Sequence, residues 1–146
     1  MTATVRQGVA TRRLGVEVVR GLAAAGVLLS ADVHLELWAT GFGSIRIIGP
    51  LFLLNAIGGL VIAVAMLAWR HWLPALAAAG FGAATLGAFA LAMTGRGLFG
   101  VHESLTGTSQ RLAAVAELVA LVCGLALAVV EFRRWWSVRS GAGTRR

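Results

Sequence analysis

A chain of 146 residues that is 58% hydrophobic and only 13% charged, with a mean hydropathy of +0.83, is too apolar for a water-soluble domain, whose charged fraction is roughly twice as large. Its net charge of +7 and pI near 11.8 come from thirteen arginines and no lysine. These sit at the chain ends and between apolar runs, without a nucleic-acid-binding motif, which argues against nucleic acid and for membrane orientation.

Residues 1–13 are polar and basic, with Arg6, Arg12 and Arg13, and read as a tail. Residues 14–38 form the first span. Its apolar centre is short, yet 25 residues at 1.5 Å each cross a hydrocarbon core of roughly 30 Å with room for polar ends. A signal peptide is the alternative there, but Glu17 and Arg20 interrupt the run and no small-x-small site precedes Asp32. Neither chain end carries a lipidation motif.

Residues 50–69 form an uncharged second span, opened by Pro50 in a first turn where its missing N–H costs little. Arg70, His71 and Trp72 make a tight link to an uncharged third span at 73–94, so these two helices form an antiparallel hairpin. The fourth span, 112–132, holds Glu117, Cys123 and Glu131; the only cysteine of the chain cannot form an internal disulfide and reads as a small buried thiol. Residues 133–146 are a second basic tail, expected to be disordered towards its end. Backbone groups in lipid must pair within their own segment, so these runs are helices. The expected fold is all-α: a polytopic membrane protein with four transmembrane helices in an up-down bundle.

Ten arginines fall on the side of the two tails and the Arg70 link, against Arg46, Arg96 and Arg111 on the other. The positive-inside rule then places both termini in the cytoplasm of a multi-pass protein of the plasma (inner) membrane. Trp69, Trp72, Trp135 and Trp136 fall at the inner interface and Trp38 at the outer one.

Ionisable groups inside a span are costly and mark candidate sites. Asp32 and Glu36 share one face of the first helix, while His34 points elsewhere, in line with Ser30 and Trp38. By helical rise, Asp32, Asn55 and Glu117 lie at similar depth in the outer half, with His102, Glu103, Arg46 and Arg96 in the loops above. Together Asp32, His34, Glu36, Asn55, His102, Glu103 and Glu117 form a candidate polar pocket opening outward, suited to a proton, a cation or a small polar ligand. The plainer interpretation leaves Asp32 and Glu36 facing headgroups, Asn55 bonding between helices and Glu117 paired with Arg111 or Arg96. Glu17 and Arg20 read as an intrahelical pair, Glu131 as part of an interfacial cluster with Arg133 and Arg134, and His71 as an interface residue. His34 and His102 are conceivable metal or haem ligands, but no ligand spacing supports this. No catalytic residue, metal set or cofactor is assigned, nor is a nucleophile with a partner base or a phosphate-binding loop visible.

Small residues recur every fourth position as Ala75, Ala79, Ala83 and Gly87, and as Ala116, Ala120, Gly124 and Ala128. Such ridges let helices approach closely, within the bundle or against other membrane subunits or a second copy.

The segments His34-Leu35, Gly49 to Asn55 and Gly97 to Glu103 resemble those of uncharacterised four-helix membrane proteins of high-GC Gram-positive bacteria. A looser similarity to DoxX-like proteins covers the architecture alone. The resemblance implies a four-span inner-membrane topology and no particular activity. The first functional expectation is therefore a non-enzymatic accessory or scaffold component. A small carrier or proton-coupled ligand binder using Asp32, Asn55 and Glu117 is the second, and a membrane redox protein using His34 and His102 the third.

Overall fold

The computed structural model describes residues 2–102, 104 and 106–142. Four helices follow one another: α1 (Thr2–Thr40), α2 (Ile48–Ala68), α3 (Trp72–Ala92) and α4 (Thr108–Ala142), with a single 3-10 turn at Phe42–Ser44 between the first two. All four are long and apolar enough to cross a membrane. The two central ones have 21 residues each, about 31 Å of rise, which matches a hydrocarbon core of roughly 30 Å. α1 has 39 residues and α4 has 35, about 58 and 52 Å. Both therefore run well beyond the spans expected from apolarity alone. The basic segment after residue 132 continues α4 to Ala142; its end, where disorder is expected, lies outside the described residues.

The bundle is packed on small residues and clothed in large ones. Its buried apolar side chains are mostly alanines, such as Ala23, Ala63, Ala78 and Ala120, whereas Leu54, Val61, Leu67 and Val115 are more than half exposed. A water-soluble bundle inverts that distribution. In lipid it is natural, since leucine gains nothing by leaving an alkane for a core and close backbone packing supplies the attraction.

The contact register is antiparallel throughout. A Cβ on Gly26 of α1 would lie 2.7 Å from the Ala116 carbonyl oxygen of α4, and one on Gly124 of α4 would lie 2.7 Å from the Ala79 nitrogen of α3. At both crossings backbone meets backbone, and only glycine fits. The expected α4 ridge of Ala116, Ala120, Gly124 and Ala128 is thus buried within the chain's own bundle. The α3 ridge splits. Ala75 and Ala79 are buried, but Ala83 and Gly87 are exposed, and Ala78 and Gly82 take the inward positions instead.

The order around the bundle is α2, α1, α4, α3. The last seam, between α2 and α3, is the loosest, although these two helices share the shortest link. At the end bearing the termini, Arg20 is 4% exposed and donates to the Met66 carbonyl oxygen at 3.0 Å and to the Glu131 carboxylate. Glu131, expected in an interfacial cluster with Arg133 and Arg134, is buried as the counter-ion of Arg20. One guanidinium so ties α1, α2 and α4 together. Glu17 sits 3.6 Å from Arg20, as its i,i+3 spacing suggests, and also takes Arg70 at 3.3 Å. His71 accepts from the Leu73 N–H at the start of α3 and stacks on Trp69.

Candidate functional site

At the opposite end, the loose α2/α3 seam widens into a cavity of about 390 Å³. The residue pattern explains why space is left there. Between the larger Phe81 and Phe89, α3 presents Ala84, Thr85 and Ala88, with Ala92 beyond, and α2 presents Gly58 beside Leu51 and Leu54. The small side chains among them leave space that the large ones border. On the seam side the lining includes Leu51, Leu54 and Ala84, all exposed, so the cavity opens sideways between α2 and α3. At its loop end it meets Leu98 and Val101. A tight turn holds that pair, with Leu98 and Val101 exchanging backbone hydrogen bonds of 2.9 Å in each direction and Phe99 and Gly100 both at positive φ.

The walls are chiefly apolar, and the polar groups concentrate on the inner side. Glu117 of α4 is 2% exposed. Its Oε1 accepts from the Ser30 hydroxyl at 3.1 Å and lies 4.0 Å from His34 Nε2. Its neighbours among the described residues thus include two hydroxyls, those of Ser30 and Thr85, and an imidazole, and no guanidinium forms an ion pair with it. His34 is held on two sides. Its Nδ1 is 2.8 Å from the Ser30 carbonyl oxygen, and Phe52 meets its ring edge-on with centroids 5.0 Å apart. A carbonyl oxygen only accepts, so Nδ1 carries a hydrogen and Nε2 faces Glu117. Phe52 is itself stacked on Phe42, so the turn after α1 buttresses the imidazole.

Asn55 of α2 lines the same cavity, and its Oδ1 is buried without a hydrogen-bond partner. An orphaned buried acceptor costs on the order of 1–3 kcal/mol, so it marks a place where a donor is expected. Thr85 donates to the Phe81 and Gly82 carbonyl oxygens at 2.9 and 3.2 Å. Its hydroxyl also lies within hydrogen-bonding reach of the Glu117 carboxyl.

Of the residues expected to form the pocket, the fold brings together His34, Asn55 and Glu117. It does not bring in Asp32 or Glu36, which are exposed on the outside of α1. The expected carboxylate pair of Asp32 and Glu117 is therefore not assembled, because the helical phase that points His34 inward turns Asp32 away. His102 is exposed in the loop, nearest the Gly95 carbonyl oxygen at 3.4 Å, and does not line the cavity. Glu103 lies outside the described residues. Glu117 pairs with neither Arg111 nor Arg96 among the described ion pairs. Among the described residues no group of three or more His, Cys, Asp or Glu is placed to hold a metal ion.

Ser30 and Phe52 are the site residues that sequence reasoning passes over. Ser30 carried a signal, lying four residues before His34 on the same face. Phe52 carried none beyond its place beside Asn55. Comparison with family models, with curated proteins and with solved structures found no match to the chain.

Proposed function

We propose that this chain is a multi-pass protein of the plasma (inner) membrane, with both termini in the cytoplasm, that binds a small amphipathic molecule in its outer half. The apolar body of the ligand occupies the seam between α2 and α3, and its head exchanges hydrogen bonds with Glu117, His34 and Asn55. The observation that carries this reading is a small set of polar residues (His34, Asn55, Thr85, Gln110 and Glu117) in the wall of a chiefly apolar cavity, with the Asn55 oxygen left unsatisfied. Pockets for small ligands have that composition: apolar walls and a few converging polar groups that fix orientation. A head with both donors and acceptors suits it, because Asn55 Oδ1 requires a donor while the carboxyl and imidazole accept or donate according to where their protons sit.

Binding is favoured over a scaffold role by where the small-residue ridges lie. The α4 ridge is consumed inside the bundle and offers nothing to a partner helix, and of the α3 ridge only Ala83 and Gly87 remain exposed.

Native mass spectrometry of the protein purified in mild detergent tests the proposal, with Gly58→Leu as the discriminating variant. Gly58 lines the cavity, and a Cβ there meets nothing within 4 Å, so a side chain can start from this position and occupy cavity space. Wild type should retain a solvent-extractable small amphiphile. Gly58→Leu should lose at least about tenfold of it while unfolding at an unchanged temperature. Absence of any such molecule in wild type, or equal retention by the variant, overturns the reading. A reporter fused after Arg146 should be active only in the cytoplasm; activity on the far side would reverse the orientation.

A further inference from the structure

A second cavity, of about 920 Å³, lies at the other end of the bundle, where α1 and α4 run on past the hairpin turn between α2 and α3. Its chemistry is opposite to that of the first. Arg13 and Arg20 of α1, Arg70 of the hairpin link, and Arg134 and Arg139 of α4 all line it. Two carboxylates are also present, Glu17 and Glu131, but both are engaged: Glu131 by the buried Arg20, Glu17 by Arg20 and Arg70. Among the described residues Arg13 and Arg134 have no carboxylate partner, and Arg139 lies over the Trp135 ring with its guanidinium carbon 4.7 Å from the centroid. The indole N–H of Trp72, in the same wall, is buried without an acceptor. Three guanidinium groups without a carboxylate partner and an unsatisfied N–H thus line one space as donors, and they outnumber the Glu131 Oε2 that is also left without a partner there.

Depth decides what fills it. α2 and α3 are about as long as the hydrocarbon core is thick, so the turn at 69–71 marks its boundary. The cavity lies beside that turn, at headgroup level. Trp69, Trp72, Trp135 and Trp136 gather at the same level, Trp72 against Trp135 with centroids 6.2 Å apart and Trp135 against Trp136 at 6.3 Å. Indoles favour that interfacial layer. Leu14 and Val18 on α1, with Trp136 and Val138 on α4, are all at least 60% exposed on the flanking stretches. They offer an apolar surface to acyl chains, which a free anion would not use.

We infer that this cavity is a binding site for the headgroup of an anionic phospholipid. The phosphodiester oxygens accept from Arg13, Arg134 and Arg139, with the Trp72 N–H as a further donor. Basic pockets between membrane helices bind such heads through charge and hydrogen bonds together. The buried Arg20–Glu131 pair forms the floor and is not itself available to the lipid. The inference rests on the four-span reading and is independent of any ligand in the α2/α3 cavity.

The test is lipid retention and thermal unfolding of the full chain in mild detergent. Phosphatidylglycerol, phosphatidylcholine and inorganic phosphate are added separately. Two variants carry the same charge loss: Arg13→Gln/Arg134→Gln/Arg139→Gln, and Arg46→Gln/Arg96→Gln/Arg111→Gln at the other end. Phosphatidylglycerol should be retained by wild type and raise its unfolding temperature, while phosphatidylcholine and phosphate do neither. The first triple variant should bind phosphatidylglycerol roughly a hundredfold more weakly, each arginine near an anionic surface contributing about a factor of five. The second should bind it as wild type does. Equal retention of phosphatidylcholine, equal loss in both variants, or the same stabilisation by millimolar phosphate would each overturn the assignment. The comparison of the three additives on wild type stands even if the triple variant fails to fold.

Discussion

Glu117 and Glu131 are two buried carboxylates on one helix, about 21 Å apart along α4, and their surroundings could hardly differ more. Glu131 meets a buried guanidinium that also caps the Met66 carbonyl, so its charge is spent on holding three helices in register. Glu117 meets a serine hydroxyl and a histidine ring, and beside it the packing stops and a cavity begins. A carboxyl buried among hydrocarbon must be compensated somehow. Where the chain supplies a guanidinium the result is a brace, even though Arg20 Nε and Glu131 Oε2 are left without a hydrogen-bond partner. Where it supplies hydroxyls and an imidazole instead, a cavity stands open beside the carboxyl.

The sharpest way to break this contrast is to remove one partner of the brace. Arg20→Ala leaves the Glu131 carboxylate buried and alone, with an expected loss of about 3–5 kcal/mol. It should appear as a large fall in unfolding temperature in detergent. Arg20→Met with Glu131→Leu should recover most of that loss, because a matched apolar pair asks for no compensation. Next in size, Gly124→Ala forces a methyl into the α3 backbone and should cost about 1–3 kcal/mol by the same measurement.

Glu117→Gln should behave otherwise. The amide is nearly isosteric and its carbonyl still accepts from Ser30. Stability should change by less than about 1 kcal/mol, while retention of the co-purifying amphiphile falls about tenfold. If Glu117→Gln instead unfolds the protein as Arg20→Ala does, the two carboxylates have one role and the contrast is lost. The smallest effect belongs to Asp32→Asn with Glu36→Gln. Both side chains are on the exposed side of α1, and the double variant should stay within about 0.5 kcal/mol of wild type and keep its ligand.

The helices were legible because apolar run length and charge interruption speak directly to a membrane, and α2 and α3 begin and end within about two residues of where the uncharged runs do. The ends of α1 and α4 were not, since a polar helix projecting from a bilayer has no hydrophobic pattern to announce it. Rise per residue puts Asp32, Asn55 and Glu117 at similar depth, and of these Asn55 and Glu117 line one cavity. Azimuth is only half legible. His34 lines up with Ser30 and away from Asp32, but which of the two faces looks inward depends on where α4 packs. That is fixed by the Gly26 crossing, a contact between residues some ninety positions apart. The same holds for Glu131, whose neighbours in sequence suggested an interfacial cluster and whose partner in space lies 111 residues away.

The sideways mouth between α2 and α3 changes how affinity has to be counted. A ligand reaching Glu117 through that seam arrives from lipid, so the quantity governing occupancy is its mole fraction in the bilayer rather than its concentration in water. A molecule that partitions strongly can saturate the site through weak contacts, and diluting it with lipid at constant aqueous volume will empty the site.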